Sequence, residues 1–264
     1  MDTVTINTLN TLKQEGKKFP VITAYDASFS RLAENAGIEV VLVGDSLGNV
    51  IQGHGSTVPV NMSDMIYHVQ AVHRGNNKSL IIADFPFMAY ATEEQTMENA
   101  ALLMQAGAHM VKLEGGAWLE TSIQKLSARG IPSCGHLGLT PQSVNKLGGY
   151  KVQGRTHEAA EKMIQDAQLL EQAGIDLLVL ECVPTPLASQ ITRALSIPVI
   201  GIGAGPNTDA QVLVIYDLLG LSPRPPKFAK NFLTETANIE AALKSYADEV
   251  RSGLFPELKH GFQS

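Results

Sequence analysis

Short apolar runs recur along the chain, and four of them end in a single acidic residue. The runs are VVLVGD, SLIIADF, MVKLEG and LLVLEC, and their acids are Asp45, Asp84, Glu114 and Glu181. Apolar runs of this length that lack helical spacing and are rich in β-branched residues are typical of buried strands. The pattern therefore predicts four strands that each present one carboxylate at the carboxyl end.

A second regularity is a helix-strand module that occurs three times. The segments AGIEVVLVGD, AGAHMVKLE and AGIDLLVLE each begin with the Ala-Gly pair that ends a helical pattern, and each finishes on one of these acids. The glycine precedes the acid by eight residues in the first module and by seven in the other two. Helices and strands that repeat in nearly constant register indicate a parallel arrangement of the strands.

Eight strand signals alternate with helical patterns over most of the chain. This number fits a (β/α)₈ TIM barrel, whereas a doubly wound sheet usually needs fewer strands. We therefore predict an α/β fold in which residues 1–264 form one (β/α)₈ barrel domain, with a short N-terminal helical segment and C-terminal helices. The predicted strands cover residues 19–25, 40–44, 79–85, 110–115, 131–137, 177–182, 197–205 and 212–220.

Local signals indicate where helices begin and where long loops lie. Asp26 is typical of a helix N-cap, and Thr92 with Gln95 fits a capping box. Residues 47–61 are rich in glycine and lack periodicity, so we expect a long loop that could cover a site. A second irregular segment covers residues 138–155. Further helical patterns cover residues 62–74, 157–173 and 238–252.

Composition excludes several functional classes. The 264 residues are 44% hydrophobic and 17% charged, as in ordinary globular proteins, and no apolar run approaches the roughly 20 residues that cross a bilayer. The N-terminal segment lacks the apolar region of a secretion signal, and Cys134 and Cys182 are the only cysteines. We therefore expect a cytoplasmic protein without disulfides or a membrane partner. A net charge of -6 without a basic run argues against nucleic acid as the main partner.

The strand-end acids are expected to converge. In a barrel, the carboxyl ends of all strands surround one opening, so these four carboxylates would face a shared cavity. Lys112 lies two residues before Glu114 and therefore points to the same side of its strand. For any one acid, a helix N-cap or a salt bridge at the rim is an alternative role. Four acids at matching positions favour a site.

Clustered carboxylates favour a cation and a particular chemistry. Neighbouring carboxylates raise one another's pKa unless a cation compensates them, and an oxygen-only ligand set favours Mg²⁺ over zinc. Such an ion could polarise the carbonyl of a bound α-keto acid, which stabilises an enolate when a base removes a proton from the adjacent carbon. One carboxylate must then remain unbound by the metal so that it can act as this base. His136, at the end of the fifth predicted strand, could donate to an oxyanion or could be structural.

Nine motifs spread over nearly the whole chain resemble one enzyme family in the family's own order. They are ITAYD, LVGDSLG, ADFPFMAY, VKLEGG, GHLGLTPQSVN, GGYKVQG, LLVLECVP, IPVIGIGAG and PKFAKNF. The sequence thereby resembles the ketopantoate hydroxymethyltransferases, which act in pantothenate biosynthesis. The resemblance implies a TIM barrel of the phosphoenolpyruvate-binding type, Mg²⁺, 5,10-methylenetetrahydrofolate as co-substrate, and a homo-oligomer that is often a decamer.

The resemblance also assigns roles to individual residues. Asp45, Asp84 and Glu114 match the family's metal-site acids, with Glu114 acting through water, and Glu181 matches the general base. The matching substrate contacts are Asp45, Ser46, Asp84 and Lys112. Gly55 departs from the family, which commonly has Asp at this position, so the contacts of this loop are not carried over.

The resulting hypothesis is that the enzyme transfers a one-carbon unit from a folate to a keto acid. Glu181 would remove the C3 proton of 3-methyl-2-oxobutanoate, and the Mg²⁺-stabilised enolate would attack the one-carbon unit of the folate, giving 2-dehydropantoate (ketopantoate) and tetrahydrofolate. A related Mg²⁺-dependent barrel lyase or mutase acting on a keto acid is the alternative enzyme, and folate-dependent turnover separates the two. A noncatalytic barrel that senses a metabolite is the alternative from another class, in which the four acids would form salt bridges at the rim.

Overall fold

Eight parallel strands close into a barrel in the computed structural model of the chain, which describes residues 2–263. Each strand pairs with the next along the chain, and the eighth pairs with the first. This order confirms the predicted (β/α)₈ fold. The strands are β1 (Phe19–Thr23), β2 (Val40–Val43), β3 (Leu80–Asp84), β4 (Met110–Glu114), β5 (Ser133–Gly138), β6 (Leu177–Glu181), β7 (Val199–Ile202) and β8 (Ala210–Leu213).

Helices surround this barrel, and one closes its amino end. The α-helices are α1 (Ile6–Gln14), α2 (Ala27–Asn35), α3 (Leu47–Val50), α4 (Met62–Arg74), α5 (Glu93–Gln105), α6 (Glu120–Ser127), α7 (Val144–Leu147), α8 (His157–Ala173), α9 (Thr185–Ala194), α10 (Ile215–Leu218) and α11 (Ile239–Ser252). Short 3₁₀ helices cover Ala117–Leu119, Pro141–Ser143, Leu233–Glu235 and Leu258–His260. Leu9 of α1 packs with Phe19 and Leu80, the first residues of their strands, and covers that end of the interior. Within residues 2–263, no helix is both long enough and apolar enough to span a membrane.

Side chains alternate along each strand between the barrel interior and the helix layer. In β4, Met110 belongs to the interior cluster, whereas Val111 and Leu113 pack in the larger cluster between strands and helices. Because successive side chains of a strand point to opposite faces, Lys112 and Glu114 share the interior side with Met110. The same alternation directs the acids that end β3 and β6 into the barrel.

The register of neighbouring strands brings their polar ends level with one another. Asp84 in β3 is paired with Lys112 in β4, and Glu114 in β4 is paired with His136 in β5. Strand spacing in a sheet is about 4.8 Å, so partners in register are direct neighbours. The interior charged groups therefore meet at one end of the barrel.

The predicted eighth strand is partly wrong. The prediction covers residues 212–220, whereas β8 ends at Leu213 and a turn of α-helix, α10, follows at Ile215–Leu218. The Ile215 N–H donates to the Thr23 hydroxyl at 3.0 Å instead of continuing the sheet. In the run VLVIYDLLG nearly every residue is apolar, so its pattern does not distinguish a buried strand from a buried helical turn.

The two segments predicted as irregular contain short helices. Residues 47–61 begin with α3, in which Leu47 and Gly48 are buried, and the rest of that segment is a loop as predicted. Residues 138–155 contain the 3₁₀ turn Pro141–Ser143 and then α7. A helix of one turn has no repeating apolar face, and this is why periodicity does not reveal it.

The predicted helix caps are found, one of them in altered form. The Asp26 carboxylate accepts hydrogen bonds from the N–H groups of Ser28 and Phe29 at 2.8 and 2.9 Å. The Thr92 hydroxyl accepts from the Gln95 N–H at 3.2 Å, but the Gln95 side chain accepts from the Ala91 N–H instead of the Thr92 N–H. Both caps satisfy N–H groups that a helix leaves unpaired at its start.

We predict that the hydroxyl of Tyr246 on α11 stabilises barrel closure. This buried oxygen lies 2.9 Å from the Val21 carbonyl of β1 and 2.8 Å from the Gln211 carbonyl of β8. Tyr246→Phe should lower the free energy of unfolding by about 1 kcal/mol, the usual value of one hydrogen bond. Urea denaturation measures this, with Tyr67→Phe as the control because Tyr67 is 65% exposed. Equal stabilities of the two variants would contradict the prediction.

Candidate active site

A cavity of about 160 Å³ lies at the carboxyl end of the barrel, and every residue predicted for the site lines it. These residues are Asp45, Ser46, Asp84, Lys112, Glu114, His136 and Glu181. They lie within, end or directly follow strands β2 to β6, so the barrel brings together seven side chains that are spread over positions 45 to 181 of the chain. The expected convergence is therefore present, and the roles of the individual residues stay predictions.

An ion pair between Lys112 and Asp84 lies at the centre of this cluster. The Lys112 Nζ is 2.6 Å from Asp84 Oδ1, and both side chains are 4% exposed. Asp84 Oδ2 accepts a hydrogen bond from the Asp45 N–H at 3.1 Å. Burial alone would lower the pKa of the Lys112 ammonium, but Asp84, Glu114 and Asp45 raise it above its ordinary value, so the lysine carries a charge.

Asp45 depends on the glycine before it for its position. A Cβ built on Gly44 would lie 2.7 Å from the Ser46 Oγ and 3.5 Å from Asp84 Oδ2, so a side chain there would push on two cavity residues. Burial raises the pKa of the Asp45 carboxyl well above its usual range, and the charges of Asp84 and Glu114 add to this effect. Gln142 offsets part of it, since its amide donates to Asp45 Oδ2 at 2.9 Å.

His136 lies between two of the acids. Its Nδ1 is 3.2 Å from Glu114 Oε1 and its Nε2 is 3.3 Å from Glu181 Oε2, although neither contact is aligned as a hydrogen bond. Burial and the nearby Lys112 lower the pKa of His136, which favours the neutral imidazole. Burial raises the pKa of Glu114 to about 7 and also raises the pKa of Glu181, so a carboxylate at either position readily accepts a proton.

Several cavity groups are neutral and were not singled out in the sequence. Thr57 and Asn49 from the 47–61 segment line the cavity, and Tyr25 lies behind it with its hydroxyl 2.9 Å from the Ser46 hydroxyl. The Thr57 hydroxyl is buried and has no hydrogen-bond partner among residues 2–263. Gln142 does not line the cavity but contacts its acids Asp45 and Glu114 from behind. Because these residues carry no charge, the pattern of strand-end acids does not indicate them, whereas a comparison of many related sequences could.

A second cavity of about 510 Å³ adjoins the first. The two cavities share six lining residues, which are Ser46, Asn49, Tyr150, Glu181, Val214 and Phe228, whereas Asp45, Asp84 and Glu114 line only the first. The second cavity adds the aromatic ring of Phe262, the cationic side chains of Arg224 and Lys227 and the acidic side chain of Asp217. Glu181 is therefore the acid that faces both spaces.

Comparison with known proteins identifies the family. The sequence model of the family described as "Ketopantoate hydroxymethyltransferase" matches residues 3–258. The chain belongs to this family. A 3-methyl-2-oxobutanoate hydroxymethyltransferase of Saccharophagus degradans is 62% identical over 253 residues, which cover 96% of this chain and 94% of that protein. The protein of the same name from Erwinia tasmaniensis is 58% identical, and the alignment covers 100% of both chains. The predicted resemblance is thus confirmed, as is the prediction of a hydroxymethyltransferase enzyme.

Solved structures place this ketopantoate hydroxymethyltransferase family member in a wider fold group. A phosphonopyruvate hydrolase in complex with oxalate and Mg²⁺ superposes with a TM-score of 0.63 at 13% identity, covering 98% of this chain and 93% of that one. A 2,3-dimethylmalate lyase, described as a PEP mutase/isocitrate lyase superfamily member, gives a TM-score of 0.59 at 16% identity, with 82% of each chain covered. At these identities the likeness concerns the fold alone, and it agrees with the TIM barrel seen in this chain.

Gly55, at which the resemblance predicts a departure from the family, does not line the cavity of the charged cluster. It is exposed, and no atom lies within 4 Å of the position that a Cβ would take. Its φ angle is not in the left-handed region, so the backbone does not require glycine. An Asp side chain at this position would therefore fit without a steric conflict, and nothing in the structure explains the glycine.

We predict that Lys112→Met destabilises the fold strongly. The substitution leaves the buried Asp84 carboxylate beside Asp45 and Glu114 without its cation, and breaking a buried ion pair in this way costs about 3 kcal/mol or more. Urea denaturation at pH 7 with a chelator present measures the loss. Lys17→Met is the control, since the Lys17–Glu15 pair is exposed and should contribute less than about 1 kcal/mol. Similar losses in both variants would contradict the prediction.

Proposed function

We propose that the chain transfers a hydroxymethyl group from 5,10-methylenetetrahydrofolate to 3-methyl-2-oxobutanoate, giving ketopantoate and tetrahydrofolate in pantothenate biosynthesis. In this reaction the C3–H bond of the keto acid breaks, a bond from C3 to the new CH₂OH group forms, and water supplies the hydroxyl oxygen. The observation that carries the proposal is the set of four strand-end carboxylates around one cavity with Lys112. The substrate follows from the names of relatives that are 62% and 58% identical.

The acid cluster fits a divalent cation. Asp45, Asp84 and Glu114 are buried together with Lys112 as their nearest buried cation, so a divalent ion would offset the remaining negative charge. Oxygen donors favour Mg²⁺, which commonly binds few carboxylates and keeps several waters. Within residues 2–263, no group of three His, Cys, Asp or Glu side chains is arranged to bind a metal ion. The proposed ligands are Asp45 and Asp84, with Glu114 acting through water.

Lys112 and Ser46 are suited to hold the keto acid. Both line the cavity next to the two proposed metal ligands, and each offers hydrogen-bond donors to a carboxylate or carbonyl oxygen. The Ser46 hydroxyl is itself held by the Tyr25 hydroxyl at 2.9 Å. When bound, Mg²⁺ polarises the keto carbonyl and stabilises the negative charge that develops on its oxygen. The orientation of C3 would be fixed by two sets of contacts, those of Asp45 and Asp84 to the metal ion and those of Ser46 and Lys112 to the keto acid.

Glu181 is placed to act as the general base. It lies off the Asp45–Asp84 pair, with its side chain 14% exposed at the boundary between the two cavities. The carbon that loses its proton must also receive the one-carbon unit, so a base at the junction of a keto-acid cavity and a donor cavity is well positioned. His136 lies beside this carboxylate, with its Nε2 3.3 Å from Glu181 Oε2.

The second cavity is the proposed donor site. Its volume of about 510 Å³ is larger than that of the first, as a folate requires, and the rings of Phe228 and Phe262 offer apolar surface to a pterin. Arg224 and Lys227 offer positive charge to the glutamate carboxylates of the folate. The keto acid and the donor would therefore meet beside Glu181.

The proposal is tested by assaying the purified chain with the keto acid, the folate and Mg²⁺. Ketopantoate, followed by mass spectrometry, should form only when all three are present. Carbon-carbon cleavage or phosphonate chemistry without folate would favour the related lyase or mutase. Binding of the keto acid without any turnover would favour a metabolite sensor.

We predict that Glu181→Gln slows turnover by about 10²- to 10⁴-fold, the usual contribution of a positioned base. The amide keeps the size of the side chain but accepts a proton poorly, so kcat should fall while the Kd of the keto acid stays within a few-fold. Steady-state kinetics and calorimetry separate the two quantities. Glu161→Gln, at an exposed position of α8, is the matched control. A variant with wild-type kcat would exclude Glu181 as the base.

Metal binding gives a further prediction. Asp84→Asn should weaken Mn²⁺ or Mg²⁺ binding by more than about 100-fold, since outer-shell partners alone are worth 10- to 100-fold in affinity. Calorimetry on the substrate-free protein measures this without reference to activity, and circular dichroism checks the fold. Asp248→Asn, at an exposed position of α11, should leave metal affinity unchanged. If the Asp84 variant binds the ion as the wild type does, the metal site lies elsewhere.

A further inference from the structure

Gln142 contacts the carboxyl ends of three neighbouring strands at once. This residue lies in the 3₁₀ turn after β5 and is 5% exposed. Its side-chain Nε2 donates to Asp45 Oδ2 at 2.9 Å and to the Phe85 carbonyl at 2.8 Å, and its backbone N–H donates to Glu114 Oε2 at 3.0 Å. Its Oε1 accepts from the Tyr90 hydroxyl at 2.7 Å. Both amide protons and the amide oxygen are therefore used.

The orientation of this amide is fixed by its partners. A main-chain carbonyl such as that of Phe85 can only accept a hydrogen bond, and so can an ionised Asp45 carboxylate. The NH₂ group must therefore face these two oxygens, and the Tyr90 hydroxyl must donate to the amide oxygen. A reversed amide would place oxygen against oxygen at two contacts in a buried site, where unpaired polar groups are costly.

A neutral donor at this position suits a metal ligand. The second oxygen of the carboxylate, Asp45 Oδ1, receives no side-chain hydrogen bond from residues 2–263, so the amide holds one oxygen and leaves the other available. Asp84 differs, because both of its oxygens are engaged, one of them by the Lys112 ammonium. An uncharged amide orients Asp45 without competing electrostatically with a bound cation.

We infer that Gln142 is a positioning residue of the metal site, which holds Asp45 through its side-chain amide and Glu114 through its backbone N–H. Tyr90 extends this role by fixing the amide. Its ring packs between Phe85 and Trp118, with centroid distances of 5.6 and 5.9 Å, which sets the direction of the hydroxyl. The inference rests on the proposed function only in taking Asp45 and Asp84 as the ligands of a divalent ion.

The test compares two buried glutamines whose Nε2 groups each donate two hydrogen bonds. Gln142→Met keeps the length of the side chain and the backbone N–H to Glu114, but it removes both contacts of Nε2 and the acceptor for Tyr90. Gln211→Met is the matched control, because Gln211 in β8 is 3% exposed and donates to the Gly205 carbonyl and the Thr208 hydroxyl, away from the cavity. Both variants should lose stability, but only Gln142→Met should lose metal affinity.

Mn²⁺ binding to the substrate-free protein, followed by electron paramagnetic resonance, gives the readout. Gln142→Met should bind the ion about 10- to 100-fold more weakly, as is usual for the loss of a partner behind a ligand, and Gln211→Met should bind it as the wild type does. Tyr90→Phe should show a smaller decrease. Adding Tyr90→Phe to Gln142→Met should cause a smaller loss than Tyr90→Phe causes in the wild type, because the amide contact is then already gone and only the longer contacts of the hydroxyl with the Glu114 backbone, at 3.2 and 3.3 Å, are lost.

Wild-type affinity in Gln142→Met, or equal losses in both glutamine variants, would overturn the inference. Should Gln142→Met fail to fold, Tyr90→Phe decides, and unchanged affinity in that variant is then the contradictory result. The Asp84→Asn variant distinguishes this failure from failure of the proposed function. If it loses Mn²⁺ while Gln142→Met does not, the metal site stands and the positioning role falls. If the wild type binds no Mn²⁺, both the proposed metal site and the positioning role of Gln142 are wrong.

Discussion

The buried ion pair between Lys112 and Asp84 is the interaction on which the site depends. Without a cation at this point, the carboxylates around the cavity would repel one another and take up protons. With it, Lys112 compensates the charge of Asp84. The negative charge of Asp45 and Glu114 is not fully compensated, and a divalent ion can offset it. The pair forms because β3 and β4 are parallel and in a register that sets these two residues side by side.

The position of the acids followed from the sequence because it depends on local rules. Strand alternation puts Lys112 and Glu114 on one side, and parallel strands that end in acids must present them at one end. Gln142 could not be predicted in this way. It contacts Phe85 and Asp45, which lie 57 and 97 positions earlier in the chain and come near it only in the closed barrel. The end of β8 was misplaced because an unbroken apolar run suits a strand and a buried helical turn equally.

The two adjoining cavities relate the fold to the proposed chemistry. The first contains the charged groups that can bind a metal ion and a keto acid, and the second combines aromatic walls with cationic residues at a larger volume. Glu181 borders both, while Gln142 and Tyr90 lie behind the first and hold its carboxylates. In the proposed reaction, substrate binding, proton removal and donor access would therefore be assigned to different strand ends.

Loss of the C3 proton from 3-methyl-2-oxobutanoate tests the central claim most directly. The purified chain would be incubated with the keto acid and Mg²⁺ in D₂O, without folate, and the C3 proton followed by NMR. An enolising site predicts exchange well above the rate in protein-free Mg²⁺ buffer, and its loss when a chelator removes the ion. Exchange at the buffer rate, or exchange that persists unchanged with the chelator, would contradict a metal-dependent enolising site.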